Sequence, residues 1–178
     1  MKSKVKVFPH NDLFNLAHYH REQMNKKLES GGRDGISLDC MSCLIALAFT
    51  VEALVNLVGH KRIDKWKERD GYLKKMNRIC SKAGVNFRKC VEPYKTLWEL
   101  KEMRDSMAHG KPVEITTEIK SREELKEAME CPWDKKLTPE YVNHAYECVK
   151  KFERTMFENC NISVIDAVTS SVPLPRKI

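Results

Sequence analysis

Several kinds of segment are missing from this 178-residue chain. It has no repeat at solenoid period and no low-complexity run, which excludes a stacked repeat array and a disordered linker as its organising element. The basic start M-K-S-K-V-K-V-F-P has no apolar stretch behind it and is not expected to be a signal peptide. Cys40-x-x-Cys43 has no second ligand pair at finger-like spacing and lies in an apolar helical run, so packing is its expected role rather than zinc binding. A long uninterrupted apolar span is missing too. The most hydrophobic segment, residues 38 to about 58, carries Asp39, Glu52, Asn56 and several Ser and Thr, which argues against a membrane helix.

What is present fits a globular domain. A hydrophobic fraction of 42% with 32% charged residues suits one domain spanning residues 1–178, long enough to bury a core without staples. Seven cysteines form an odd, scattered set, expected to be reduced thiols in a cytoplasmic protein. The formal net charge of +7 favours acidic partners, nucleic acid first, and equally suits a basic surface that serves solubility. His18 and His20 fall on different faces of their segment and make no metal pair; neither metal nor cofactor is expected.

Helical periodicity dominates the chain. After an extended lead-in over residues 1–9, Asn11 or Asp12 is expected to cap a first helix, with Leu13, Leu16, Ala17, His20, Met24 and Leu28 on one side. Ser30-Gly31-Gly32 ends it. The next helix is apolar on nearly all sides, which places it at the centre of a bundle. Glu52 and Asn56 lie one turn apart there, in line with Ile45 and Phe49. A buried carboxylate needs a partner, so Glu52 either contacts the helix bearing Arg104, where it would help orient the site, or snorkels to water at the bundle edge. From Gly59 to Lys89 the chain turns basic, with Trp66, Tyr72 and Phe87 interleaved. Lys74, Lys75 and Arg78 in this stretch, and Lys111 beyond it, are candidate RNA contacts, although scattered acids give the look of a solvated face as well. A helix is expected over 72–83, with Leu73, Met76, Cys80 and Ala83 inward and Gly84 as its stop.

The most informative stretch is Y-K-T-L-W-E-L-K-E-M-R-D-S-M-A-H-G-K-P, residues 94–112. Tyr94, Leu97, Trp98, Leu100 and Met103 recur at helical spacing, and Gly110 is expected to stop the helix in a left-handed conformation ahead of Pro112. Arg104 and His109 then sit at its C-terminal end. Five residues place them about 140° apart on an ideal helix, so convergence calls for a loosened last turn or an Arg reaching round. Beyond it, Val113–Ile119 alternates like a short strand or extended arm, and Ser121 with Glu124 reads as a capping box. Residues 111–137 are an expected insertion flanking the motif helix. Thr138-Pro139-Glu140 starts a last long helix carrying Tyr141, Ala145, Cys148, Val149, Phe152 and Met156. From Ile162 the tail is expected to be extended or disordered, closing with Pro173, Pro175 and two basic residues. The expectation is an all-α bundle of four to six helices, core about 11–160, with a possible small β or extended arm after the motif helix.

The phrase L-x-x-L-x-x-x-R-D-x-x-x-H-G-x-P, from Leu97 to Pro112, resembles the signature helix of HEPN domains, and A-F-T-V-E-A-L-V-N, residues 48–56, is similar to the buried HEPN helix bearing a lone Glu and an Asn one turn later. The resemblance implies a helical bundle that cuts RNA without metal, as a homodimer with its sites at the interface. It maps the family's Arg, following polar residue and His onto Arg104, Asp105 and His109. It implies His109 in proton transfer, Arg104 on the scissile phosphate, and Asp105, Glu52 and Asn56 in support. A toxin or phage-defence role, with a possible antitoxin partner and no membrane, would follow. The other function implied is a HEPN-like module that binds a nucleotide or a protein and does not cut.

Overall fold

The most apolar segment becomes the axis of the molecule. In a computed structural model, which describes residues 3–173, the second helix (α2, Ile36–Arg62) is surrounded by the first (α1, Pro9–Glu29), third (α3, Tyr72–Lys82), fourth (α4, Tyr94–Ala108) and sixth (α6, Pro139–Asn159). Leu44, Leu47, Val51, Leu54, Val55 and Val58 are buried at its centre. The fold is an all-α bundle, with six α-helices and one two-stranded sheet among the described residues. α2 is long and apolar enough to cross a membrane by length and composition, and most of it is buried inside the bundle.

The helix ends follow local chemistry. Gly35, at φ +70, closes the turn before α2 and lets the helix begin two residues earlier than the apolar pattern suggests. α1 begins at Pro9 with Phe8 in the cap position, so neither Asn11 nor Asp12 caps it. Asn11 instead donates its amide to the Ala167 carbonyl at 2.7 Å. Thr138 Oγ1 accepts from the Tyr141 N–H at 3.2 Å, and Pro139 fills the first turn of α6. In α3, Met76, Ile79 and Cys80 face the core, whereas Leu73 is exposed rather than inward.

Cys40 and Cys43 face α1. The Cys43 thiol donates to the Ala17 carbonyl at 3.2 Å and Cys40 Sγ lies 3.4 Å from Met24 Sδ, so the pair packs two helices together. Burial pushes the thiols up, to about 11 for Cys40 and about 12 for Cys43.

Outside the helices, the strand alternative for Val113–Ile119 and the disordered alternative for the tail are the ones that fail. Val113–Ile119 forms no strand: it is exposed throughout and unpaired, because alternation builds a ladder only where a sheet edge is on offer. The short helix after it (α5, Arg122–Ala128) is capped by Ser121 Oγ, which accepts from Glu124 N–H at 3.1 Å, and buries no residue. The strands lie at the two ends of the chain instead. Ser3–Lys6 (β1) pairs antiparallel with Ser170–Pro173 (β2), Ser3 opposite Pro173 and Lys6 opposite Ser170. The tail is therefore extended in part, as one of the two expectations had it, and ordered by this pairing as far as Pro173. Ile162 and Ala167 are buried, and the Phe8 N–H donates to Thr169 Oγ1 at 3.1 Å. Pro175 and the two basic residues after it lie outside the described residues.

Candidate functional site

α4 carries the motif from the core outward. Leu97, Leu100 and Met103 bury one side against α2 and α6, which turns Arg104 to the margin of the bundle at 22% exposure. There the guanidinium donates twice to one oxygen of its neighbour, Nε at 2.9 Å and Nη2 at 2.6 Å from Asp105 Oδ1. Its Nη1 lies 4.0 Å from Glu52 Oε2 on α2, and the guanidinium carbon lies 5.9 Å from the centre of the Phe49 ring. Glu52 thus meets the helix bearing Arg104 rather than reaching water alone.

Lys75 completes this cluster, and in a role opposite to the expected one. Its side chain is 3% exposed, and its ammonium pairs with Glu52 Oε1 and donates to the Asn56 side-chain oxygen at 3.4 Å and the Glu68 carbonyl at 3.1 Å. Lys75 is therefore no RNA contact: Tyr72, Lys75, Met76 and Ile79 share the inward face of α3, and its stem follows that face into the bundle. A half-buried Glu and a buried Lys neutralise each other where either alone would be costly. Asn56 also borders a cleft of about 470 Å³ that runs past His10, Ala53, His60 and Glu68. The other candidate RNA residues lie elsewhere. Lys74 donates to Asp70 at 3.1 Å, and Arg78 sits 3.5 Å from the same carboxylate with its guanidinium 5.2 Å over Trp66. Lys111 is exposed past the end of α4.

Asp105 is held between two cations, since Lys101 Nζ lies 3.0 Å from its other oxygen. Partial burial works against the charged carboxylate, but the hydrogen bonds from Arg104 and Lys101 outweigh it and hold its pKa below the usual value. Tyr72, whose hydroxyl donates to the Leu97 carbonyl at 3.4 Å, has its phenol pushed well up, by burial first and then by the Glu52 charge. It stays protonated near neutral pH and supplies no phenolate to act as a base.

His109 sits just past the last helical residue, exposed, and among the described residues no side-chain hydrogen bond or ion pair engages it. The last turn is not loosened. The His109 N–H still donates to the Asp105 carbonyl at 2.9 Å, and Gly110 is not left-handed. Glycine favours the site for a different reason: a Cβ would fall 3.0 Å from the Ser106 carbonyl, a tight contact. Arg104 turns to Asp105 and does not reach round the helix, so within one chain the structure brings Arg104, Asp105, Glu52 and Asn56 together and leaves His109 beside them, unjoined.

Sequence reasoning missed further residues on both flanks of α4. Trp98, Lys101, Asp105 and His109 follow one another along one side of α4. Trp98 is half-buried against Tyr72, with Lys101 Nζ 4.8 Å and Lys89 Nζ 5.1 Å from its ring centre. The signal was available as an i, i+3, i+7, i+11 stripe, but Trp98 counts as apolar and reads as core. The 132–136 segment lies on the other flank of α4, where Trp133 and Lys136 line a small hollow with Glu99, Glu102 and Ser106.

Protein-family models, curated proteins and solved structures contain no match to this chain.

Proposed function

We propose that the chain is a metal-independent RNA endonuclease of the HEPN type. The observation that carries this reading is the placement of Arg104 and His109 at the exposed end of α4, with the polar residue of the motif already oriented on the guanidinium. RNA supplies its own nucleophile, the 2′-hydroxyl, so the protein needs a proton acceptor, a proton donor and positive charge on the phosphorane. Imidazole exchanges protons near neutral pH, and guanidinium presents a planar fork to phosphate oxygens. His109 takes the proton role and Arg104 holds the scissile phosphate, positioned from behind by Glu52 and Asp105. Trp98 with Lys101 and Lys89 is suited to receive a base next to the cleaved bond.

One α4 end holds one imidazole, whereas cleavage uses a base and an acid. A two-fold dimer with the α4 ends meeting would supply two histidines and two arginines to one cleft, and that assembly is part of the proposal. A toxin or phage-defence effector, with or without an antitoxin, is the biological setting it suits.

One observation favours a second reading, a module that binds a nucleotide or protein without cutting. The Arg104 guanidinium is already occupied by Asp105 and faces Glu52, so a phosphate must compete for it. Cleavage of a mixed RNA pool in EDTA separates the two. Wild type is expected to cut, with Arg104→Ala and His109→Ala each reduced at least about 100-fold while remaining helical, the scale of losing a proton-transfer group or a transition-state contact. Full activity in both variants would overturn the nuclease assignment.

A further inference from the structure

A different set of side chains converges at the opposite end of α4. His144 and Cys148 stand one turn apart on α6, the i, i+4 spacing that lets two ligands on one helix face share an ion. Glu92 approaches them from the segment leading into α4. Cys148 Sγ is 3.5 Å from His144 Nε2 and 3.7 Å from Glu92 Oε2, and His144 Nε2 is 3.5 Å from Glu92 Oε1. A tetrahedral zinc ion with bonds of about 2.3 Å to sulfur and about 2.05 Å to nitrogen and oxygen has edges of about 3.6 Å for S–N and S–O and about 3.4 Å for N–O. The sulfur–nitrogen spacing matches its edge, and the two carboxylate oxygens of Glu92 stand at edge distance from the sulfur and the nitrogen respectively, so a rotation of the carboxylate brings one oxygen into the third position.

Hydrogen bonding alone leaves this arrangement over-subscribed. His144 Nε2 also lies 3.1 Å from Thr96 Oγ1, so one ring nitrogen, with a single proton or a single lone pair, faces three polar atoms at once. An ion satisfies the sulfur, nitrogen and oxygen together, and leaves Thr96 to hold Glu92, whose Oε2 accepts from the Thr96 N–H at 3.3 Å. Cys148 is buried, whereas His144 and Glu92 are about half exposed, so a water can enter as the fourth ligand from the solvent side.

We propose that Glu92, His144 and Cys148 bind one zinc ion that clamps the start of α4 to the middle of α6. The mixed sulfur, nitrogen and oxygen donors select zinc over magnesium or calcium. On binding, the Cys148 thiol releases its proton to solvent and coordinates as thiolate. Thr96 and Arg104 are eight residues apart, about 12 Å along the helix, so the ion takes no part in chemistry at Arg104. The clamp stands or falls independently of the nuclease reading.

The test uses the full reduced chain, stripped with chelator and then titrated with Zn²⁺ against a competing chromophoric chelator. One equivalent per chain is expected, with binding abolished in Cys148→Ser and His144→Ala, weakened at least tenfold in the surface variant Glu92→Gln, and unchanged in Cys131→Ser. Co²⁺ in its place should give the thiolate charge-transfer band and the intense visible bands of a tetrahedral site. Wild type should also melt at a higher temperature with zinc, whereas Cys148→Ser should not respond. Zinc uptake by Cys148→Ser or His144→Ala as tight as by wild type, no uptake by wild type, or an octahedral cobalt spectrum would overturn the proposal.

Discussion

Lys75 carries more of the site's stability than its place in a basic run suggests. Removing it leaves Glu52 partly buried with only Arg104, at 4.0 Å, to answer its charge. Lys75→Met is expected to cost about 3 kcal/mol by urea unfolding, the lower end for breaking a buried pair. Combining it with Glu52→Gln should recover most of that loss, because no charge is then stranded; simple additivity would contradict the pairing. Asp105 makes a prediction in pH. Its pKa lies below the usual value in the folded state, so its stabilising contribution is complete above the unfolded value, about pH 4, and is lost as pH falls through the folded one. Asp105→Asn should therefore lower the melting temperature at pH 7, and by progressively less as the pH is taken down below about 4. At this scale Glu52 was legible, since a lone acid in an apolar helix demands a partner. Lys75 was not. It stands in a run of lysines, and only its phase with Met76 and Ile79 marks it as the one that turns inward.

Among the elements, α2 shows how a packing face can depend on one missing side chain. A Cβ at Gly59 would fall 2.2 Å from the Trp66 ring, which lies against the bare backbone there. Gly59→Ala must displace that ring. The expected cost is about 1–3 kcal/mol, with a red-shifted tryptophan emission; an unchanged spectrum and stability would show that Trp66 does not dock on α2. Helix centres were readable from period and composition because burial of an apolar stripe leaves little choice, as Thr138-Pro139 with the α6 stripe illustrates. The ends and arms were less so. Val113–Ile119 alternates but has no edge to join, while Ser3–Lys6 and Ser170–Pro173 form a sheet that depends on a meeting 160 or more residues apart in the chain. Such a pairing leaves no local mark.

At the scale of the whole molecule, the bundle presents Arg104 and His109 at one end of α4 and the Glu92, His144 and Cys148 cluster near the other. The guanidinium and imidazole are not joined within one chain, so the proposed chemistry depends on a second copy completing the cleft. Its signature is chemical rather than structural. Attack by a 2′-hydroxyl must leave a cyclic phosphate, whereas a metal-activated water leaves a linear end. The decisive measurement is therefore the 3′ terminus of RNA cut by the wild-type chain in EDTA. Products ending in 2′,3′-cyclic phosphate, and no cutting when the hydroxyl at the scissile position is replaced by hydrogen, are expected. Cutting that stops in EDTA while the chain remains helical, that leaves a 3′-hydroxyl or that survives loss of the 2′-hydroxyl would contradict the assignment of His109 and Arg104.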